Sequence, residues 1–384
     1  MTVLESIRNA DLVVVGAGFF GATVAERAAN KLGKSVVVIE KRSHIGGNAY
    51  SYFDDQTGIE VHKYGSHLFH TSSQKIWEYV NEFTGFNDYK HSVIAISKNQ
   101  VFSLPFSLYT LSQIYGKHIS PSEAQKIFKT LTNQEMTNSE MNFEERAIAM
   151  VGKKIYNRLV KGYTAKQWQT DPRYLPGNII SRLPVRSNFD TRYFDDQFEG
   201  LPLIGYTPWI NKMLSSSLIK VYTDVDFFEI KSQINKPIVY SGPLDKYFDY
   251  KCGVLNWRTL DFEFETLNFP NFQGNSVINY PDKNIPYTRI HEFKHLHPER
   301  KVSEKTVVAR EYSKKASKGD EPYYPVNSTY DRKILDEYRI LISEERNVLF
   351  GGRLGTYKYL DMHMAIASAL QLVDTKVIEL LEIK

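Results

Sequence analysis

The spacing of apolar residues predicts that the chain begins with a parallel sheet. A continuous apolar run at 12–15 ends at Gly16, and an alanine-rich stretch at 21–31 then leads to a second apolar run at 35–40. Two short apolar runs joined by a glycine turn and a helix are typical of a strand–helix–strand unit. The N-terminal region is therefore expected to belong to an α/β domain.

Residues 80–190 show mainly helical periodicity. Apolar side chains recur every three or four positions at 72–83 and at 143–159, and Gly162 is expected to end the second of these helices. A capping box at 120–123 starts another helix between them. This part of the chain is predicted to be a helical insertion.

Short β-rich runs separated by proline and glycine replace the helical pattern between 221 and 330, and they predict an antiparallel sheet. An apolar run at 348–350, the pair Gly351–Gly352 and an alanine- and leucine-rich tail then repeat the pattern of the N-terminal region. With 384 residues, the chain exceeds the roughly 250–300 residues at which a single core stops growing. More than one domain is expected, and the C-terminal segment is expected to return to the first.

Composition and charge narrow the class of protein. The chain is 42% hydrophobic and 24% charged, as in folded proteins, and its formal charge of +4 gives no strong field for nucleic acid or a membrane surface. Cys252 is the only cysteine, the apolar run at 12–17 is too short to span a bilayer, and acidic Glu5 and Asp11 stand where a signal peptide needs positive charge. We expect a cytoplasmic protein with no disulfide, no membrane insertion and no nucleic-acid partner.

A dinucleotide fingerprint follows the first predicted strand. Gly16, Gly18 and Gly21 form the motif G-x-G-x-x-G, and Glu40 ends the next predicted strand about 20 residues later. Glycines allow the backbone to approach a pyrophosphate at the helix N-terminus, while the carboxylate accepts hydrogen bonds from ribose hydroxyls. A nucleotide cofactor is expected here.

A second glycine pair, Gly46–Gly47, follows Glu40, Lys41 and Arg42. Such a pair permits a bulky or phosphorylated ligand to approach the backbone, although by itself it is equally typical of a tight turn. Nicotinamide enzymes do not need this second element. The combination resembles the FAD-binding front end of the large flavoprotein family that includes amine oxidases, and it implies FAD as the cofactor.

Two histidines, His67 and His70, lie in the segment 61–71. Their spacing is compatible with metal ligands, but no cysteine accompanies them, and no metal site is predicted. The residues alone leave two interpretations open: both histidines are hydrogen-bonded loop residues, or one of them faces a flavin.

Six ordered blocks carry a more specific resemblance over essentially the whole chain. They are H-x-Y-G-x-H-x-F-H-T at 62–71, K-G-Y-T-A-K-Q-W at 161–168, R-L-P-V-R at 182–186, P-Y-T-R at 286–289, P-Y-Y-P at 322–325 and G-R-L-G-T-Y-K-Y-L-D-M at 352–362. In this order the blocks resemble the bacterial UDP-galactopyranose mutase family. Two departures, Ser66 in place of a usual proline and His91 in place of a common asparagine, concern fine substrate preference.

The resemblance implies an α/β fold made of a discontinuous Rossmann-like FAD-binding domain, a helical insertion domain and an antiparallel β-sheet domain. The expected boundaries are 1–85, 203–250 and 335–384 for the FAD domain, 86–190 for the helical domain with a mobile substrate loop near 175–187, and 191–202 and 251–334 for the sheet domain that lines the substrate.

The resemblance also implies how a sugar diphosphate is held. Arg182, in the mobile loop, and Arg289, in the fixed sheet, match the family's two diphosphate-binding arginines, and a guanidinium stays charged while it presents paired donors. Without the resemblance, a surface ion pair is the default interpretation of both. With His67 beside the flavin, these are the expected catalytic residues.

The same resemblance implies the remaining site residues. The substrate site is expected to contain Tyr163, Trp168, Arg182, Tyr193, Asn279, Arg289, Tyr324, Tyr359 and Asp361. The cofactor site is expected to contain Gly16, Gly18, Phe19, Gly21, Glu40, Lys41, Gly46, Gly47, Asn48, His67, Leu68, Arg353, Tyr359, Asp361 and Met362. From the residues alone, each tyrosine is equally well a core residue, and Asp361 is equally well the N-cap of the following helix.

The implied reaction has no net redox change. N5 of reduced FAD attacks the anomeric carbon, UDP leaves, and the sugar ring opens and recloses in the other size. The reaction would interconvert UDP-galactopyranose and UDP-galactofuranose for cell-surface polysaccharide, in a homodimer whose flavin is primed by a reductant such as NAD(P)H. Two alternatives stay open: a flavin-dependent amine or alcohol oxidase with the same front end, and a non-catalytic UDP-sugar-binding protein.

Overall fold

The computed structural model describes residues 2–132, 141–182, 184–301, 303–317 and 319–382. Its strands are β1 Leu12–Val15, β2 Val36–Ile39, β3 Ser51–Phe53, β4 Glu60–His62, β5 Phe69–Thr71, β6 Val93–Ser97, β7 Gln100–Leu104, β8 Phe198–Gly200, β9 Ile219–Tyr222, β10 Ile238–Tyr240, β11 Trp257–Leu267, β12 Val277–Asn279, β13 Arg289–Glu292, β14 Thr306–Lys315, β15 Tyr324–Pro325 and β16 Val348–Phe350.

Its helices are α1 Val3–Asn9, α2 Phe19–Asn30, α3 Gln74–Asn81, α4 Leu108–Tyr115, α5 Pro121–Thr132, α6 Phe143–Ile155, α7 Lys161–Trp168, α8 Tyr206–Met213, α9 Phe227–Ile230, α10 Leu244–Tyr247, α11 Thr329–Glu344, α12 Gly352–Gly355, α13 Met362–Leu372 and α14 Ile378–Glu382. Within the described ranges, no helix is both long enough and apolar enough to cross a membrane.

A five-stranded parallel sheet has the order β16-β10-β1-β2-β9. Alternate residues of its central strands point to opposite faces: Val14 and Val38 pack with α2, α8 and α13, whereas Val13 and Val37 pack with α1 and the side chain of Tyr240. Both faces are covered, which is why β1 and β2 are continuous apolar runs and not alternating ones. The predicted parallel sheet is confirmed, and the later strands β9, β10 and β16 return to it.

A second sheet has seven strands in the order β15-β11-β14-β13-β12-β6-β7. Its longest pair, β11 and β14, is antiparallel, with residues 258–267 opposite 306–315. The antiparallel sheet predicted between 221 and 330 is confirmed for residues 257–325, whereas β9 and β10 belong to the parallel sheet. In β13, Arg289 lies opposite Asn279 of β12 on one side and Glu311 of β14 on the other, so the pairing register brings these three residues together.

The hairpin of β6 and β7 lies in the region for which the sequence pattern predicts mainly helices. Lys98 and Asn99 form its two-residue turn with φ values of 48° and 60°, as two-residue hairpin turns require. Neither residue is glycine, and the burial alternation covers only 93–97, so the sequence signal for a strand is short. Because β6 pairs in parallel with β12, the hairpin joins the helical region to the second sheet.

Helices α4, α5 and α6 pack around an apolar core of their own, and α7 continues from α6 through a π-helical turn. Gly162, which was expected to end a helix, lies inside α7, and that prediction is wrong. A Cβ at Gly162 would overlap the carbonyl oxygen of Pro281, so the glycine permits close packing and does not break the helix. Lys166 fixes the same helix to this loop by donating to the carbonyl oxygens of Tyr280, Asp282, Ile285 and Tyr287.

Candidate functional site

A cavity of about 770 Å³ lies at the carboxyl ends of the parallel strands. Val15, Ile39 and Tyr240, the last residues of β1, β2 and β10, line it. Ligands of doubly wound α/β folds bind in this position, outside the carboxyl ends of the strands. The volume lies within the range of known cofactor pockets.

Most of the predicted cofactor residues line this cavity: Gly16, Gly18, Phe19, Gly21, Glu40, Lys41, Gly46, Gly47, Asn48, His67, Arg353 and Met362. The other three predicted residues lie beside it. Leu68 packs against the main core, the ring of Tyr359 lies 5.0 Å from the guanidinium carbon of Arg353, and Asp361 is the N-cap of α13. The side chain of Asp361 makes no capping hydrogen bond, so the N-cap interpretation is correct for its backbone only.

The glycine fingerprint keeps the backbone at the mouth of the cavity free of side chains. Gly16 has a φ of +100°, a conformation that L residues rarely adopt, and a Cβ there would overlap the hydroxyl of Ser241. A Cβ at Gly21 would overlap the carbonyl oxygen of Gly16. Strand β1, the turn and the start of α2 can therefore pack this closely only when both positions are glycine.

Glu40 is fixed at the end of β2 by backbone donors. Its Oε2 accepts from the amide of Ala17 at 2.9 Å, and its Oε1 accepts from the amide of Arg42 at 2.9 Å. A carboxylate oxygen has two lone-pair sites, so both oxygens can accept a further hydrogen bond. The carboxylate is thus oriented to receive the hydroxyls of a ribose.

Two buried donors in the cavity wall show that the residues present fit a flavin dinucleotide. Nη1 of Arg42 and Nε1 of Trp257 are buried and have no hydrogen-bond partner, and both side chains line the cavity. A buried donor without a partner costs about 1–3 kcal/mol. A dinucleotide, with phosphate oxygens and ring acceptors, supplies partners for such donors, so the residues present fit FAD.

His67 presents a fixed tautomer to the cavity. Its Nδ1 lies 2.8 Å from the carbonyl oxygen of Gly65, which can only accept, so Nδ1 carries the proton. Burial lowers the pKa of His67 to about 4, and the ring is neutral near pH 7 with Nε2 as an acceptor. Its amide donates to Nδ1 of His62 at 3.0 Å, and its carbonyl accepts from the hydroxyl of Tyr206 at 3.0 Å.

His70 has a different environment. Its Nδ1 lies 2.6 Å from Oδ2 of Asp196, and its ring stacks on Phe194 with the centroids 3.7 Å apart. Of the two interpretations of these histidines, a hydrogen-bonded residue describes His70, whereas His67 lines the cavity. The described part of the chain contains no group of three or more His, Cys, Asp or Glu side chains that could hold a metal ion.

Arg289 lies at the start of β13, between a phenol and a carboxylate. Its guanidinium donates to the hydroxyl of Tyr163, and its Nε lies 3.3 Å from Oε1 of Glu311. Burial acts to lower the pKa of Arg289, but the Glu311 carboxylate and the neighbouring tyrosines together outweigh it and hold that pKa above its ordinary value. The guanidinium is therefore a permanent cation with a fixed orientation.

Arg353 connects the cavity to a pair of tyrosines. The rings of Tyr324 and Tyr359 stack with centroids 5.8 Å apart, and the guanidinium carbon of Arg353 lies 6.0 Å and 5.0 Å from them. Arg353 is itself held by the carbonyl oxygens of Leu360 and Tyr323. Burial raises the pKa of Tyr324 to about 12, so its phenol remains a donor.

Tyr193 and Asn279 lie near Arg289. The ring of His91 packs 5.5 Å from Tyr193, and the Tyr193 amide donates to the His91 carbonyl at 2.7 Å. Asn279 faces Arg289 across the β12–β13 pair, and its Oδ1 is buried without a partner. A ligand donor that enters beside Arg289 could satisfy this oxygen.

Two predicted substrate residues are less well placed by the structure. Trp168 ends α7, the helix that carries Tyr163, and packs against the helical core. Arg182 ends a 3-10 turn at Gly177–Arg182, and its side chain lies outside the described part of the chain. Its predicted contact with a diphosphate therefore stays a prediction.

Comparison with known proteins supplies the family. The family model described as UDP-galactopyranose mutase matches residues 158–359, and the model described as an NAD(P)-binding Rossmann-like domain matches 14–83. A probable UDP-galactopyranose mutase of Klebsiella pneumoniae is 40% identical over 368 residues, which are 96% of this chain and 95% of that protein. The chain belongs to the UDP-galactopyranose mutase family.

The chain is similar to two further proteins, one in sequence and one in fold. The dTDP-fucopyranose mutase of Escherichia coli is 38% identical over 375 residues, 94% of this chain and 96% of that protein. A crystal structure of reduced UDP-galactopyranose mutase superposes with a TM-score of 0.72 at 14% identity, over 97% of this chain and 94% of the other. At this low identity, the superposition supports the fold alone.

Some cavity residues of this mutase-family chain were not predicted from the sequence. Glu321 binds Arg42 at 2.8 Å, and Ser241 and Trp257 line the cavity. Ser241 directly follows the parallel strand β10, so its position could have been found from that strand, but a three-residue run is a weak signal. No sequence pattern marks Glu321 or Trp257.

Proposed function

We propose that the chain is a flavin-dependent isomerase that interconverts UDP-galactopyranose and UDP-galactofuranose, and so supplies galactofuranose for cell-surface polysaccharide. One observation carries the proposal: Tyr324 connects the permanently cationic Arg289, oriented by Tyr163 and Glu311, to Arg353 of the cavity wall. An oxidase of amines or alcohols has no need of a preoriented cation for a diphosphate. Family membership supports the same reaction.

Residues that line the cavity would hold FAD. The glycines of the fingerprint would admit the pyrophosphate, Glu40 would accept from a ribose, and Arg42 and Trp257 would use their buried donors. The chemistry that bound, reduced FAD supplies is a nucleophile for the anomeric carbon of the sugar. His67, neutral and with its Nε2 as acceptor, would receive a hydrogen bond from the cofactor side.

The substrate would lie between Arg289 and the tyrosines. Arg289 stabilises the negative charge that develops on the leaving diphosphate, and it is oriented before the substrate arrives. Arg182 would bind the same diphosphate from the other side. The phenols of Tyr163, Tyr193, Tyr324 and Tyr359 would donate to phosphate oxygens, Trp168 would stack on the uracil, and Asn279 and Asp361 would bind hydroxyl groups.

The cellular setting belongs to the proposal as well. The single cysteine, Cys252, supports a reducing compartment, and we place the protein in the cytoplasm. A reduced nicotinamide such as NAD(P)H would prime the flavin, because the reaction itself consumes no reductant. A homodimer is proposed from family membership alone.

The product of anaerobic incubation tests the function. Dithionite-reduced protein is incubated with UDP-galactose, and the ring size of the sugar is read by proton NMR. We expect the furanose form to appear until equilibrium is reached. Recovery of unchanged pyranose would support a binding protein. Stoichiometric reduction of the flavin in a parallel anaerobic incubation of the oxidised protein with the sugar would support an oxidase.

A second substrate has specific support. The two relatives described above, at 40% and 38% identity, are named for different sugar nucleotides. The values of kcat/KM for UDP-galactose and dTDP-fucose, measured on the same reduced preparation, decide between them. Our proposal requires the larger value for UDP-galactose.

A further inference from the structure

A series of polar side chains in contact with one another extends from the His67 loop, residues 63–68, to the guanidinium of Arg289. Oγ of Ser66 lies 2.8 Å from Nδ1 of His291. Nε2 of the same ring lies 3.1 Å from Oε2 of Glu311, whose Oε1 lies 3.3 Å from Nε of Arg289. Three side chains from three separate segments therefore connect the cofactor side of the site to the diphosphate side.

The chemistry of the groups fixes the direction of each hydrogen bond. Burial raises the pKa of Glu311, but Arg289 and His291 outweigh it and hold that pKa below its ordinary value, so Glu311 is an acceptor. Nε2 of His291 must then carry the proton. Burial lowers the pKa of His291, so its Nδ1 is an acceptor and Ser66 donates to it.

The side chains of His291 and Glu311 are shielded from solvent. His291 and Glu311 are only 1% and 3% exposed. Phe293 stacks on the His291 ring with the ring centroids 6.0 Å apart. The centroid of the Phe262 ring lies 6.1 Å from that of His291. Glu311 has a further partner, the hydroxyl of Thr288, which donates to Oε1 at 3.1 Å. Oε1 and Nε of Arg289 form an ion pair without hydrogen-bond geometry. A displacement of Ser66 therefore changes the hydrogen bond to His291 and, through Glu311, the electrostatic field at Arg289.

We propose that Ser66, His291 and Glu311 are positioning residues that couple the His67 loop to Arg289. Through this coupling, the redox state of the bound flavin changes the affinity for a nucleoside diphosphate at Arg289. The inference rests on the proposed function, because it assumes FAD beside His67 and a diphosphate at Arg289. Coupling of this kind is reciprocal and is measured as a ratio of affinities.

The experiment uses the FAD-loaded protein and UDP as the probe. The Kd of UDP is measured by calorimetry under anaerobic conditions, first with oxidised and then with dithionite-reduced protein. The wild type should give a ratio of the two values that differs from one. Ser66→Ala should move this ratio toward one by up to about fivefold, the size of one lost hydrogen bond. Ser66→Thr, which keeps the hydroxyl, should stay within about twofold of the wild type.

Ser97→Ala is the matched control, because Ser97 is buried in the same sheet and its hydroxyl donates to Asp282 at 2.6 Å, away from Arg289. This variant should keep the wild-type ratio. A wild-type ratio of one, a Ser66→Ala ratio equal to the wild type, or a threonine variant as impaired as the alanine variant would each overturn the coupling. Failure of the wild type to bind UDP in either redox state would instead contradict the proposed function.

Discussion

Arg289 donates from its guanidinium to the phenol oxygen of Tyr163, although 126 positions separate the two residues in the chain. The bond joins β13 of the second sheet to α7 of the helical region. Glu311 approaches the same guanidinium from the neighbouring strand. Arg289 is therefore oriented from two sides by groups that are themselves fixed, which is the condition for electrostatic stabilisation without reorganisation.

Replacement of Arg289 should impair the reaction strongly. Arg289→Ala removes a preorganised donor, and we expect a loss of about 10²- to 10³-fold in kcat. Arg289→Lys should recover only part of this, because an ammonium does not reproduce a forked contact. Arg310→Ala, which removes a guanidinium paired with Glu265 on the outer side of β14, is the control and should keep near-native kcat. Native turnover by Arg289→Ala would remove the residue from the proposed site.

Substitution of the fingerprint glycine Gly16 should cause loss of the cofactor. Gly16→Ala combines a φ of +100° with a Cβ that overlaps Ser241, whereas Gly33→Ala has a φ of +64° and open space around its Cβ. Both substitutions carry backbone strain, but only the first disturbs the cavity. The ratio of flavin absorbance to protein should fall in Gly16→Ala and stay native in Gly33→Ala. Equal ratios in the two variants would show that the cavity is not the FAD site.

Bound flavin should be non-covalent, because no cysteine or histidine stands in a recognisable flavin-attachment context in the sequence. The neutral His67 directs its Nδ1 proton to Gly65, and Cys252 is not one of the residues that line the cavity. Acid precipitation of the protein should release all the yellow colour. Flavin that remains in the precipitate would contradict this assignment.

The stability of the protein should decrease on acidification below pH 6.5. His62 and His91 are 1% and 4% exposed, and burial lowers the pKa of each to about 3. Between pH 6.5 and 3 the unfolded chain binds protons at these rings and the folded chain does not, so each ring lowers the free energy of unfolding by about 2 kcal/mol at pH 5. In denaturant titrations, His91→Asn should show a smaller decrease than the wild type, while substitution of the exposed His118 should leave the decrease unchanged.

His91 should also restrict the sugar. Its buried ring lies beside Tyr193, and an imidazole occupies more space than an asparagine amide. We expect low activity on the N-acetyl analogue of UDP-galactose, and we expect His91→Asn to raise the ratio of kcat/KM for the analogue to that for UDP-galactose. Comparable turnover of both sugars by the wild type would show that the size of this ring does not decide the preference.

The parallel sheet and its fingerprint could be predicted from the sequence because their signals are local. Continuous apolar strands and glycines at fixed spacing place Gly16, Glu40 and Gly46 at one end of a sheet whatever the rest of the chain does. The hairpin at 93–104 was missed, because its turn residues Lys98 and Asn99 contain no glycine and its strands are short. The proposed domain boundaries stay a prediction.

The residues of the substrate side could be predicted only from the resemblance, because strand register, and not spacing along the sequence, determines their contacts. Glu311 meets Arg289 only because β13 and β14 pair in one particular alignment, and Ser66 meets His291 across 225 positions. Apolar and polar periodicity contains no information on which of several glutamates faces a given arginine. The same holds for Gly162, because this glycine permits close contact with Pro281 in a distant loop, and local sequence spacing does not reveal that contact.

The number of product molecules formed per reduced flavin shows whether the flavin acts without net redox change. Protein is reduced anaerobically with excess dithionite, the excess is removed, and UDP-galactofuranose is quantified after addition of excess UDP-galactose. We predict many molecules of furanose for each flavin, with the flavin still reduced at the end, and no product from the oxidised protein. Product limited to one molecule per flavin, or equal activity of the oxidised protein, would contradict the account.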